Sequence, residues 1–155
     1  MSTTSPLAIY HSYAAGIMDG EGYIGILKVN KKANYQPCLS IKMGDLEALE
    51  LYELLFGGHI GTSGVSSTGR TMYKWVARNR EEVKKVLTIL RPYLLIKKRQ
   101  ADVCLEFIAE FPKRHSQHRK DKMEEYYKLC RLLNRTLGDP EQRLKVIQVI
   151  DKEVA

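Results

Sequence analysis

Residues 14–26 read AAGIMDGEGYIGI: the small residues Ala14, Ala15, Gly16, Gly20 and Gly22 surround two carboxylates, Asp19 and Glu21. Glycine inside a helix costs about 1 kcal/mol relative to alanine, so close packing must offset it. Gly16 and Gly20 are four apart, as are Ala15 and Asp19, and residues at i and i+4 share a helix face. Small side chains there let two helix backbones approach closely. If the partner is the same helix of a second chain, the contact is a two-fold interface through Ala15, Gly16, Asp19 and Gly20, and the acids of both copies converge near its axis. Converging carboxylates repel one another and the negative end of the helix dipole; a divalent cation relieves both. Hard oxygen ligands with open water positions suit Mg2+, and metal between paired carboxylates is an arrangement for in-line phosphodiester cleavage.

These acids need elements to hold them. Ser5-Pro6 predicts a helix start, and the helix runs to about Met18, with Gly20 and Gly22 ending it. Strands at Tyr23–Asn30 and Gln36–Met43 form a hairpin. Asp45 caps a second helix whose apolar face includes Leu49, Tyr52 and Phe56; Gly57-Gly58 stops it. His59–Val65 and Arg70–Arg78 make a second hairpin. Asn79 caps a third helix with Val83, Val86, Leu87 and Leu90 inward. Helices from about 98, 122 and 140 follow, the last two separated by Gly138-Asp139-Pro140. The repeat is an α+β pattern: a four-stranded antiparallel sheet with helices on one face and solvent or a ligand on the other.

The 155 residues suit one domain, and the net charge of +7 favours a polyanionic partner, nucleic acid or an acidic membrane surface. No run reaches the length of a membrane span and no signal-peptide core opens the chain, so an intracellular, non-secreted protein is expected. Cys38, Cys104 and Cys130 are widely spaced among apolar neighbours and read as buried, reduced thiols.

Strand alternation places Leu39, Ile41 and Met43 on one face, and Gln36, Cys38, Ser40 and Lys42 on the other. In the fourth strand Tyr73, Trp75 and Ala77 alternate with Arg70, Met72, Lys74, Val76 and Arg78. The polar set suits phosphates and base edges in a major groove, or is an ordinary solvated face; alternation leaves both open. In the first strand Lys28 shares the parity of Ile24 and Ile26, and follows them inward unless a bulge intervenes.

The stretch AAGIMDGEG resembles the LAGLIDADG motif of homing endonucleases, with Ala14 at the leading Leu and Glu21 at the last Asp. The strand–helix order, and RPYLLIKKRQA at residues 91–101, are similar to the same family. The resemblance implies an αββαββα core over about 7–111, a helical extension over about 120–155 and, with one copy of the motif, a homodimer. It implies metal-dependent cleavage of both strands of a long, pseudo-palindromic double-stranded DNA site by an intron-encoded enzyme. Glu21 takes the place of the metal-binding acid, Gly20 that of a residue whose carbonyl can touch the metal, and Lys97 that of the basic residue near the scissile phosphate. Mg2+ is the implied cofactor; Mn2+ substitutes, and Ca2+ supports binding without cleavage. The DNA contacts are expected at Lys28, Asn30, Lys32, Gln36, Ser40, Lys42, Arg70, Met72, Lys74, Arg78, Lys98, Arg119 and Lys120. Where the family often has a Gln, this chain has Met43.

His115 and His118 form an HxxH with no evident third ligand, so a solvated or phosphate-facing basic loop is the expectation there rather than a metal site. The competing reading, from another class, is a catalytically silent nucleic-acid-binding protein on the same scaffold: a maturase binding intron RNA, or a DNA-binding regulator. Both readings place the protein in the cytoplasm or an organelle.

Overall fold

Proline needs no backbone partner in a helix's first turn, and Pro6 opens α1 (Pro6–Glu21). The helix runs past the expected stop near Met18; Gly20 stays helical and Gly22 ends it. Gly22 is required by space. A Cβ there would lie 2.2 Å from the Met18 sulfur and 2.7 Å from the Met18 carbonyl oxygen. Without it the chain passes directly from helix into strand.

The computed structural model describes residues 4–29, 34–113 and 120–154. After α1 come β1 (Gly22–Val29), β2 (Asn34–Met43), α2 (Leu46–Phe56), β3 (His59–Val65) and β4 (Thr71–Ala77). Then follow α3 (Arg80–Leu90), α4 (Lys98–Glu110), α5 (Lys120–Arg135) and α6 (Pro140–Val154). This is the expected α+β order, with helices to spare at its C-terminal end. None of the described helices is long and apolar enough to cross a membrane.

The strands form one antiparallel sheet in the order β1-β2-β4-β3. Ile24 pairs with Leu39, Leu39 with Ala77, and Ile41 with Trp75, and all are buried on the face that α1 to α4 cover. Pro37 lies where β2 pairs with β1 alone, because β4 pairs only with Leu39 through Met43; a residue without an N–H is tolerated there. The β3–β4 register shifts between Thr62 and Val65, and Gly64 has φ +85°, as a bulge requires. The β1–β2 register has no such shift. Ile24 and Ile26 therefore carry Lys28 to the helix side with them.

Caps are used selectively. Asn79 accepts the Glu81 N–H at 2.8 Å and caps α3. Asp45 stands at the α2 N-cap, but its carboxylate pairs with Arg70 at 2.8 Å and caps nothing.

Buried Trp75 packs against Tyr52 with ring centroids 4.9 Å apart and ring planes tilted by 58°, and donates its Nε1–H to the Gly57 carbonyl at 2.8 Å. Gly58 beside it has φ +83°, and a Cβ there would sit 2.6 Å from Trp75 Nε1 and 2.8 Å from the Val76 carbonyl oxygen. Gly58→Ala is expected to lower the unfolding free energy by about 2 kcal/mol or more, adding a clash to backbone strain. Gly138→Ala, which would meet nothing within 4 Å, is the control. Equal urea midpoints for the two variants would refute this account of the turn.

Candidate metal centre and nucleic-acid interface

The C-terminal end of α1 concentrates negative charge: unpaired carbonyls, the negative end of the helix dipole, Asp19 and Glu21. The segment between α3 and α4 answers it. Asp19 accepts the backbone N–H groups of Leu95 (2.8 Å), Ile96 (3.2 Å) and Lys97 (3.0 Å). Lys97 is only 5% exposed. Its ammonium donates to the carbonyl oxygens of Met18 at 2.8 Å and Gly22 at 2.5 Å. Burial pulls the Lys97 pKa below the usual lysine value, and the charges of Asp19 and Glu21 oppose that shift. Glu21 is exposed and, among the described residues, takes no hydrogen bond and no ion pair.

Among the described residues no three His, Cys, Asp or Glu side chains converge. The chain can offer a cation the Glu21 carboxylate and the backbone carbonyl of exposed Gly20. This is an all-oxygen set that leaves most positions to water, phosphate or a second chain. It fits Mg2+ or Ca2+ and lacks the nitrogen or sulfur ligands of a typical zinc site.

The four residues expected at a helix–helix interface divide between two faces. Gly16 and Gly20 are exposed, and a Cβ at either would meet nothing within 4 Å. With Ile9 (60% exposed) and Tyr13 (56%) they form one outward stripe at i, i+4, i+7 and i+11. Ala15 is fully buried in the chain's own core, and Asp19 is engaged by the 95–97 backbone. The correction is geometric: each i, i+4 pair does share a face, but the two pairs are rotated from one another by one residue, about 100°.

The sheet face opposite the core carries Gln36, Lys42, Met72 and Lys74, with exposed Arg78 just beyond β4. Lys42 and Lys74 stand directly opposite each other in register. Gln36 Nε2 donates to the Arg78 carbonyl at 2.8 Å, which fixes its side chain. Ser40 is on this face but buried: β2 is a central strand between Tyr23 and Val76. The Tyr23 ring fills the space above Gly25, where a Cβ would lie 2.3 Å from its hydroxyl. Burial, with lesser effects from Cys130, Cys38 and Cys104, pushes the Tyr23 pKa up to about 12, so it remains a donor. Arg70 is exposed and paired with Asp45 before β4 begins.

Lys28 leaves the polar face altogether. It pairs with Glu124 of α5 at 3.3 Å and lies 5.7 Å from the Tyr35 ring centroid. Lys98 opens α4 and Lys120 opens α5, so both are on helices rather than on the sheet. Met43 pairs with Tyr73 and packs against the core, away from Lys42. Asn30, Lys32, His115, His118 and Arg119 lie outside the described residues.

A family model described as LAGLIDADG endonuclease matches residues 14–111. No curated protein matches the chain. Among solved structures, the homing endonuclease I-CvuI in complex with its target in the presence of Ca is 19% identical, with a TM-score of 0.59 and 94% of each chain covered. The LAGLIDADG homing endonuclease I-GzeII in complex with a DNA target is 20% identical with a TM-score of 0.61; the match covers 79% of this chain and 43% of that one. The LAGLIDADG meganuclease I-AabMI bound to uncleaved DNA is 21% identical with a TM-score of 0.60, covering 75% of this chain and 41% of that one. These likenesses establish a shared fold.

The Asp19 carboxylate is the test of the local design. Asn at this position keeps one acceptor oxygen and removes the charge that three N–H groups share. Asp19→Asn is expected to cost about 2 kcal/mol in urea unfolding, the range for hydrogen bonds to a charged group. A loss below about 0.3 kcal/mol, the scatter of an ordinary surface change, would show that the contacts carry no weight.

Proposed function

The chain belongs to the LAGLIDADG homing endonuclease family, and from that membership and the site's geometry we propose a site-specific, metal-dependent DNA endonuclease that acts as a homodimer. The observation that carries the reading is the buried Lys97 ammonium on the Met18 and Gly22 carbonyls, beside an exposed, unpaired Glu21. A desolvated lysine beside two acids is the kind of perturbed group that functional sites concentrate.

Glu21, with the Gly20 carbonyl, holds a divalent cation at the end of α1. When bound, Mg2+ supplies Lewis-acid stabilisation of the phosphate and a nucleophilic water for in-line hydrolysis. Lys97 fixes the backbone on both sides of Glu21 and adds positive potential where phosphate charge builds. Asp19 is a positioning residue, since its oxygens are committed to the 95–97 backbone. Mn2+ substitutes for Mg2+, and Ca2+ supports binding without cleavage.

The polar sheet face lies in the major groove of double-stranded DNA, with Gln36, Lys42, Met72, Lys74 and Arg78 toward it. Arg70 joins them on release of its exposed, weak pair with Asp45. Lys98 and Lys120 contact phosphates outside the sheet. The exposed stripe Ile9, Tyr13, Gly16 and Gly20 packs against its own copy, bringing two Glu21 side chains together, one for each strand. Residues 1–155 act as one intracellular domain.

Two measurements test this. A randomised duplex library incubated with Mg2+ should yield discrete cuts at one extended motif, with Ca2+ giving binding only. Glu21→Gln should reduce cutting at least about 100-fold, the scale for a group acting in the transition state, with binding retained. Binding without cutting by the unaltered protein would sink the nuclease reading in favour of a silent nucleic-acid-binding protein.

The dimer has its own test. A leucine at residue 16 fits the open space of the protomer but not a close helix pair. Gly16→Leu should sediment as a monomer with an unchanged circular dichroism spectrum. Identical sedimentation of both proteins would remove this face from the proposal.

A further inference from the structure

Helix α6 lies beyond residue 111, where the family match ends, yet it reaches the site. Arg143, in its first turn, donates from its guanidinium to the carbonyl oxygen of Ile96. Farther along α6, Asp151 takes a two-point ion pair from Arg99 in the first turn of α4, one contact being 3.0 Å. Lys97 and Lys98 lie between these two ties.

The segment before α4 is anchored in the core by fully buried Leu94, but the two residues that follow it have little else to fix them. Leu95 is 79% exposed and Ile96 is 43% exposed, so neither side chain adds an anchor in the core. Past Leu94 the placement of the 95–97 backbone rests on polar ties. The N–H groups of Leu95, Ile96 and Lys97 go to Asp19 of α1, and the Ile96 carbonyl goes to Arg143 of α6. Ile96 is therefore held through both of its backbone polar groups, from opposite ends of the sequence. The next residue is Lys97, whose ammonium must reach two carbonyls at the end of α1. A rotation of the 96–97 peptide shifts the root of that side chain, and both carbonyl contacts must then be met from a new starting point.

We propose that Arg143 is a positioning residue for Lys97: by holding the Ile96 carbonyl it sets the start of α4 and keeps the ammonium on the Met18 and Gly22 carbonyls beside Glu21. The catalytic consequence rests on the proposed role of Lys97. The positioning itself does not, and the two are measured separately.

The experiment compares the full chain with Arg143→Ala and Arg143→Lys. Amide hydrogen exchange is followed over residues 93–99 and, as a reference, over 39–41 of the central strand. Arg143→Ala should raise exchange at Leu95, Ile96 and Lys97 roughly tenfold, as local opening does, without changing the reference. Arg143→Lys, which keeps a donor, should restore most of the protection. With a cleavable duplex, Arg143→Ala should lower kcat about 10- to 100-fold at unchanged DNA affinity, the cost of a misplaced group.

Unchanged exchange at 95–97, or a rise that includes 39–41, would overturn the proposal; the second result would mean a general structural role. A fall in DNA affinity at unchanged kcat would overturn it by making Arg143 a DNA contact. Local loss of protection with unchanged kcat and affinity would overturn the link to Lys97. If the unaltered protein cuts no DNA, local loss of protection still supports the hold on the 95–97 backbone, and the nuclease reading alone falls.

Discussion

The neutralisation of the C-terminal end of α1 is the constraint on which the site depends. A helix end with a negative dipole and two acids needs positive charge and N–H donors, and it must get them without covering Glu21. One loop of turns and bends supplies both. Its backbone satisfies Asp19, and its Lys97 satisfies the carbonyls of Met18 and Gly22. Taking an ammonium out of water costs several kcal/mol. Two carbonyl acceptors and two nearby carboxylates offset that cost in part, and burial, the largest influence, still holds the Lys97 pKa below the usual lysine value. Two acids two residues apart thus have different environments. Asp19 spends its charge on the fold, and Glu21 leaves its own exposed to solvent.

The same geometry ties the site to the sheet. Gly22 lets β1 begin directly after Glu21, so no flexible linker separates the acid from the surface that would read DNA. On that surface Lys42 and Lys74 face each other across β2 and β4. Like charges directly opposite destabilise a sheet by a few tenths of a kcal/mol or more, and a bound polyanion reverses the sign. The buried face offsets the loss with Trp75, Tyr52, Leu39 and Ile41. The free protein thus tolerates charge on one face because the other is densely apolar.

Periodicity made the architecture legible. Alternation in β2 and β4, the apolar stripe of α3 and the Asn79 cap all correspond to local rules with local causes. The parity of Lys28 was also in the sequence; the unbroken β1–β2 register makes it decisive. What alternation could not show is that Ser40, on the polar parity, is buried because its strand is central and Tyr23 lies beside it. The split of Ala15 and Asp19 from Gly16 and Gly20 depends on which face of α1 meets the chain's own core, a tertiary fact. The motif resemblance singled out Lys97, but its carbonyl partners come from 75 and 79 residues away. Arg143 had no signal at all: one arginine on a polar helix reads as solvated, and only the fold brings it to Ile96.

The C-terminal helices therefore belong to the site's construction. An edge strand exposes backbone groups that invite foreign pairing, and β1 is both an edge and the strand leaving Glu21. Helix α5 covers it. Asn134 donates to the Ile24 carbonyl at 3.0 Å, Glu124 holds Lys28, and Tyr127 packs on Tyr35 with ring centroids 5.7 Å apart. Cys104 and Cys130, buried with sulfurs 3.8 Å apart, pack α5 on α4. The hydrogen bond with the Cys130 thiol, and then burial, push the Cys104 pKa well up, which keeps it a thiol. Helix α6 then ties to the loop that carries Lys97. Thus α5 braces the strand that follows Glu21 and α6 braces the segment that precedes α4. Both helices act on the site through backbone that hydrogen bonds already hold near the roots of the two side chains.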